Sequence, residues 1–527
     1  MNRGQKRLTW LLAAALALVL AAGCAGNANN GAAGNGGNDT GNGASDGTAT
    51  GGSGSNAEEP LEIQMFAGLY NEVPDMDNAF WTEWQARTNT KLNVEWVPSG
   101  DLDTKLDLLL ASAELPEVLA APNFRRPTLV NAIKSGAFWD LTPFLGDFSA
   151  YPNLRDNVVD NAYKYRTIDG KIYSLPGSRS PIDIGIKIRK DWLDKLNIPV
   201  PTTLDEYEAA LKQLVEGDPD GNGQDDTLGL IGGGVIVSDG DESFAAGFGA
   251  LDPAYNDEGG LIYTQLNPKY TEMIEWFRGL YADGVLSQEF SVMKRTQSEE
   301  LYKTGRAASY ARSIWWDKEW EDSNKKNGQP DAEIMNLTME GPGGTAVALT
   351  TGGNGAFLIS KKVPEEKVWR LLDYFEQSAS QELTDLAYYG IEGVHHTVED
   401  DQKVLNEQGV LEINTTSKQV GVLASLKYGK VVSASGSKAY NEAKIAEVEH
   451  FDQVGTVNPF GYLMSDTWNN VWARYESEWK SMVTQAIVGQ ITIDEYKAFI
   501  AKINALPEAK QAYQEFAEGY AAFHEQQ

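Results

Sequence analysis

Cysteine is almost absent: Cys24 is the only one in 527 residues, so the chain has no internal disulfide. Histidine is nearly as scarce. The four residues, His395, His396, His450 and His524, have no spacing suited to a shared metal. No HExxH helix motif, nucleophile elbow or phosphate-binding loop occurs, which removes the usual signatures of a hydrolase or nucleotide enzyme. Basic residues are outnumbered, 44 Lys and Arg against 75 Asp and Glu, for a net charge of −31. A chain this acidic has no broad basic face to displace counterions, which argues against nucleic acid as a partner. A bilayer-spanning run is missing too. Leu8 to Ala22 is apolar except for Thr9, but a helix needs about 20 such residues to cross.

That short run follows Arg3, Lys6 and Arg7 and ends in Ala21-Ala22-Gly23-Cys24. A basic start, a short apolar core and a small-residue site form a secretory leader over residues 1–23. The site resembles a bacterial lipobox, with Ala21 where Leu is usual. This predicts Cys24 as a lipidated N-terminus anchored on the outer face of the cell membrane. Residues 24–58 are Gly, Asn, Ala, Ser and Thr with a few acids, and no aromatic or large aliphatic residue. Such a segment cannot bury enough surface to order itself, so it reads as a tether.

The remainder is long enough for two lobes. Helical and strand periodicities alternate, which favours α/β architecture. Leu61 to Phe66 and Leu92 to Val97 read as strands, and Met76 to Arg87 as a helix. Thr203-Leu204-Asp205-Glu206 is a helix-starting box in which Thr203 caps the Glu206 amide. Lys269 to Asp283, Glu365 to Gln377 and Asp494 to Ile503 read as further helices. Trp468, Val471, Trp472, Tyr475, Trp479, Met482, Val483 and Ile487 mark one face of a long amphipathic helix.

Several segments are similar to those of the type 1 extracellular solute-binding proteins of ABC importers. They are Leu115-Pro116-Glu117-Val118, Asp169-Gly170-Lys171-Ile172-Tyr173-Ser174-Leu175-Pro176, the run Ile188 to Leu196 followed by Val200-Pro201-Thr202-Thr203, and Tyr389-Gly390-Ile391-Glu392-Gly393-Val394-His395-His396. Their order and spacing span about residues 61–505. The nearest subgroup is the LplA- and LipO-like lipoproteins of Gram-positive bacteria. The resemblance implies a two-lobed, type II periplasmic-binding-protein-like fold with a ligand cleft and hinge segments. The first lobe is expected over 59–181 plus about 350–400, and the second over 182–349 plus about 401–527. Crossings are expected near Ser178 to Ile186, near Thr345 to Phe357 and near 393–412. The partners implied are an oligosaccharide and the importer's permease subunits, and the chain is expected to be a monomer.

Sugars offer flat C–H faces to aromatic rings and hydroxyls to Asp, Asn, Arg and Gln. Gly305 to Trp316 resembles a strand and loop that ends in a cleft-facing Trp, so Trp315 or Trp316 is the expected stacking platform. Arg312 would suit a uronate carboxylate. Tyr70 follows the first strand. Asp183 lies in the first crossing and Asn354 in the glycine-rich second. Trp468, at the start of the long helix, and His395 complete the candidates. Each competes with a plain structural role.

Asp218-Pro219-Asp220-Gly221-Asn222-Gly223-Gln224-Asp225-Asp226 places oxygen donors at loop positions 1, 3, 5 and 9 and glycine at 6. Asp218, Asp220, Asn222, Gln224 (through its carbonyl) and Asp226 are the expected ligands of a structural calcium ion. Position 12 is Gly229, so the loop is not a complete EF-hand, and the family's Glu at position 10 is Thr227 here. Two other classes stay open on sequence alone: a secreted carbohydrate-active enzyme, and a sugar-binding adhesin or sensor. A peptide or other small nutrient is the alternative ligand.

Overall fold

The computed structural model describes residues 59–525, apart from 70–71, 160–161, 178–179, 233–240, 353–354, 400–401, 422, 427–430 and 434. The expected leader, Cys24 and the tether lie outside the described residues, as do Tyr70 and Asn354. Glu59–Gln527 forms one compact unit.

Two sheets organise it. The first runs in the order Thr90–Pro98, Leu61–Leu69, Val118–Ala121, Ala356–Ile359, Leu175–Pro176. Its first three strands are parallel and each of the last two runs antiparallel to its neighbour. Leu61–Leu69 lies between Thr90–Pro98 and Val118–Ala121; Glu62 and Gln64 are exposed, and from Met65 to Gly68 the strand is buried on both faces. Its period of two sends Ile63, Met65 and Ala67 into one apolar cluster and Phe66 into another. The second sheet runs Ile334–Asn336, Ile184–Arg189, Ala307–Ser313, Leu228–Ile231. Ile184–Arg189 is antiparallel to both neighbours, and Ala307–Ser313 is parallel to Leu228–Ile231. Gly185 is required here, because a Cβ at that position would lie 2.3 Å from Asn336 Oδ1.

Local chemistry sets the helix ends. Asn78 accepts from the Trp81 amide at 2.9 Å, so the first helix is Ala79–Thr88 and begins three residues later than the apolar spacing implies. Asn89 closes it in the left-handed region at φ 47°. Thr203 caps Leu204–Glu216 through the Glu206 amide at 3.1 Å. Ser465 caps Asp466–Ile487, which buries Trp468, Val471, Trp479, Val483 and Ile487. That helix, with Ile493–Asn504 and Pro507–Glu525, packs on the core of the second lobe.

The chain leaves the first sheet after Pro176, enters the second at Ile184, and returns to the first at Ala356. The last crossing comes later than the expected 393–412. Ile413, Val420, Leu423, Ala424 and Leu426 all belong to the core of the first lobe, so that lobe continues through Leu426. Helix Lys438–Val454 then meets the junction, where Val448 and Phe451 pack with Ile182, Ile314, Val347 and Leu349. Ala348–Leu349 pairs in parallel with Thr456–Val457 and binds the second crossing to the returning chain.

Candidate functional site

Strand direction locates the cleft. The three parallel strands of the first sheet end at Leu69, Pro98 and Ala121, and Ala356 and Pro176 lie at the same edge, paired with each other and, for Ala356, with Ala121. In the second sheet, Ile184 opens its strand opposite Ser313, the end of the neighbouring one, and Leu228–Ile231 ends on the same side. The segments that join the two sheets, from Pro176 to Ile184 and from Leu349 to Ala356, run between these two edges. Ligands of α/β sheets bind at such carboxyl-end edges.

The sequence-derived candidates divide on this geometry. Asp183 and Trp315 sit at the edge of the second sheet. The Asp183 carbonyl accepts from the Ile314 amide at 2.9 Å, and its Oδ1 is buried without a hydrogen-bond partner. Trp315 and Trp316, both half-buried, form a short helical turn with Ile314. Trp315 packs on the junction cluster, and Trp316 on the cluster beneath the second sheet.

Arg312 is committed elsewhere: its Nε and Nη2 both donate to Glu299 Oε1 at 3.0 Å, so it does not offer a bare guanidinium to a uronate. Trp468 is a core residue, 4% exposed, with the Tyr263 and Trp472 rings at 4.5 and 5.4 Å. Aromatic spacing along that helix reports packing, not the cleft. His395 is fully buried in the first lobe. Its Nδ1 accepts from the Ile391 amide at 2.9 Å, and its Nε2 lies 3.0 Å from Glu412. It fixes the turn before the hairpin His396–Glu399 and Gln402–Leu405.

A buried ionic network anchors the Trp315 turn from both sides. Lys187 Nζ donates to the Ser313 carbonyl at 2.8 Å and pairs with Asp317. Asp317 also accepts from Lys444 at 3.0 Å and from Asn336 Nδ2 at 2.7 Å. Burial pushes the Asp317 carboxyl up, but Lys187 and Lys444 outweigh it and hold the group below the ordinary range.

Three features escaped the sequence reading. Tyr165 stacks on Tyr462 and Phe523 at 4.9 and 5.5 Å, joining the segment before the first crossing to the C-terminal helices. Arg125, four residues past a first-sheet strand end, donates to the Tyr165 and Thr167 carbonyls, and burial lowers its guanidinium to about 10. Glu242 and Asn458 meet at 2.8 Å although 216 residues separate them. No local pattern marks any of these, because each depends on a long-range approach.

The acidic loop closes on itself. Asp218, at φ 47°, accepts from the amides of Gly221, Asn222 and Gly223 at 3.0 to 3.1 Å. The Asn222 amide group bridges Asp220 Oδ2 and Asp226 Oδ1 at 2.9 and 3.0 Å. A hydrogen bond with Asp220, then the backbone amides, hold Asp218 low, while burial pushes Asp220 up. Arg306 takes Asp226 Oδ2 at 2.6 Å. Among the described residues no three acidic or histidine side chains gather closely enough to hold a metal alone. The oxygen-rich set fits a hard cation only if Asn222 and the Gln224 carbonyl join Asp218 and Asp220.

The model of the bacterial extracellular solute-binding protein family matches residues 79–404. The chain belongs to that family. Its members are substrate-binding subunits of ABC transporters, so this solute-binding protein is not an enzyme. It is 28% identical over 475 residues to the polygalacturonan/rhamnogalacturonan-binding protein YtcQ of Bacillus subtilis, covering 88% of this chain and 92% of that one. Lipoprotein LipO of the same organism is 24% identical over 462 residues, covering 83% and 88%. The N-glycan transport solute-binding protein NgtS of Streptococcus pneumoniae shares the fold, with a TM-score of 0.61 at 16% identity over 88% of this chain and 99% of that one. The two sheets described above are the two lobes of this fold. No described helix is long and apolar enough to cross a membrane.

Proposed function

We propose that this solute-binding protein captures an oligosaccharide between its lobes and delivers it to the permease of an ABC importer, while anchored through lipidated Cys24 on the outer face of the cell membrane as a monomer. The observation that carries the reading is the meeting of two sheet edges at the chain crossings, with the Trp315 turn at one of them, in a member of a solute-binding family. Aromatic rings and unpaired oxygen acceptors suit the faces and hydroxyls of sugars better than the backbone of a peptide. YtcQ and NgtS are named for glycans, which supports the same ligand class here. The loop Asp218–Asp226 is assigned a structural calcium ion held by Asp218, Asp220, Asn222, the Gln224 carbonyl and Asp226; its part is to pin the segment after helix Leu204–Glu216.

The test is a tryptophan-fluorescence titration of the chain from Glu59 onward with neutral oligosaccharides, oligogalacturonates and short peptides, each ligand checked afterwards for integrity. A saturable response to a glycan, lost in Trp315→Ala with the ligand intact, is expected. A response to peptides alone would sink the carbohydrate assignment and leave the fold standing.

A further inference from the structure

The lobes also meet outside the chain crossings, where the segment before the first crossing touches the last helix. Tyr165 belongs to the first lobe, on the short turn Lys164–Arg166. Its ring stacks on Tyr462 at 4.9 Å with 30° between the planes, and on Phe523 at 5.5 Å with 7°. Tyr462 and Phe523 stack on each other at 4.3 Å. Both belong to the second lobe. Tyr462 follows the last crossing, between Phe460 and Leu463, which pack on the core of that lobe. Phe523 stands in the last turn of helix Pro507–Glu525, whose buried Ala509, Ala512, Tyr513 and Phe516 belong to the same core. Lys164 adds a charge to the contact, with its ammonium 5.6 Å from the centre of the Phe523 ring.

Each side of the stack is fixed in its own lobe. Arg125, just past strand Val118–Ala121, donates to the Tyr165 carbonyl at 2.9 Å. Arg166 donates to the carbonyls of Ala162, Thr351 and Gly355 at 3.0 to 3.1 Å. The Tyr165 backbone is therefore tied to the first sheet and to the second crossing. On the other side, Asn458 accepts from the Phe460 amide at 3.1 Å and sets the turn Pro459–Gly461 under Tyr462. The Phe460 ring rests on Phe516 at 4.9 Å. Two residues after Tyr462, Met464 packs on the first-lobe cluster of Phe66, Leu119 and Ala356. A ring held in one lobe thus lies against rings held in the other. A change of lobe angle has to slide or part these faces. Parting them forfeits the ring contacts and exposes Tyr462, which is 7% exposed here.

We propose that Tyr165, Tyr462 and Phe523 form a clasp, closed by the last helical turn of the chain, that holds the two lobes in the relative orientation of this structure. A ligand that moves the lobes works against the clasp, so the three rings set how much of the binding energy goes into movement. The inference rests on the two-lobed fold and not on the identity of the ligand.

The chain from Glu59 onward contains no cysteine, so Lys134→Cys and Lys326→Cys place one dye on an exposed position of each lobe. Single-molecule energy transfer between the dyes, with no ligand added, reads the distribution of lobe-to-lobe distances. With the three rings intact one narrow population is expected. Tyr165→Ala raises the share of other distances about tenfold, the factor expected when two ring contacts are lost. Tyr165→Phe keeps the narrow population, because the stack survives without the hydroxyl. Truncation after Gly519 removes Phe523 but none of the buried core residues of its helix, and raises the share about threefold, for one contact of the two. In the truncated chain Tyr165→Ala then has a smaller effect than in the full one. Circular dichroism reports whether each variant is folded. Distributions in folded Tyr165→Ala and in the truncated chain that match the parent would overturn the clasp. So would a parent chain already spread over many distances, or a Tyr165→Phe variant as spread as Tyr165→Ala.

Discussion

Asp317→Asn tests the ionic network that frames the Trp315 turn. Asp317 is 1% exposed and Lys187 fully buried; Lys444 is 10% exposed. The substitution keeps the shape and removes the shared anion. Lys187 then keeps the Ser313 carbonyl, the Trp320 ring at 5.2 Å and a neutral amide oxygen but no anion, while Lys444 keeps Glu447 at 3.0 Å. Removing one partner of a buried pair costs about 3–5 kcal/mol, because the charge left behind cannot be hydrated. Urea unfolding at pH 7 followed by circular dichroism measures the loss. The double variant Lys187→Met with Asp317→Leu should recover most of it, since a packed apolar pair is close to neutral in such sites. Asp317 has a depressed pKa in the folded chain, so its contribution is present above the unfolded value of about 3.9 and fades as the pH falls through the lower folded one. The gap between wild type and Asp317→Asn therefore closes only below about pH 4. A loss under about 1 kcal/mol at pH 7, the level of an exposed pair, would refute the reasoning. So would a double variant as unstable as the single one.

Two further outcomes follow from the geometry. Calcium should raise the melting temperature of the chain from Glu59 onward and chelator should reverse it, since a hundredfold excess over Kd adds about 2.7 kcal/mol at any single site; Asp218→Asn with Asp220→Asn should abolish the shift, as differential scanning calorimetry can show. Arg312→Gln should cost about 2 kcal/mol in urea, from the lost charged bonds to Glu299, and leave glycan affinity unchanged.

Periodic features were legible in the sequence, and contacts between distant segments were not. The face of helix Asp466–Ile487 and the Thr203 cap could be read because one turn of helix carries all the information. The start of the first helix was misjudged because Met76 continues the apolar spacing, whereas Asn78 decides the end by capping. The last crossing was placed too early because the apolar residues of helix Glu407–Val420 do not say which lobe they serve. Among the site candidates, Asp183 and the Trp315 turn lie at a sheet edge. Arg312 and Trp468 show the structural roles that competed with ligand binding in the sequence, for a common reason: a residue type fit for sugar is also fit for an ion pair or a core. Glu242 with Asn458, and Tyr165 with Tyr462 and Phe523, could be recognised only once the chain had folded.

The short ladder between Ala348–Leu349 and Thr456–Val457 has a mechanical consequence. Two strands that cross the junction separately would each twist about their own bonds, and the lobes could then roll and swivel as well as close. Hydrogen-bonded side by side they bend as one ribbon, stiff across its width and compliant only about the line it defines. With the connection from Pro176 to Ile184 outside the ribbon, bending is favoured over swivelling, and spin-label distances at both ends of the cleft mouth should change together.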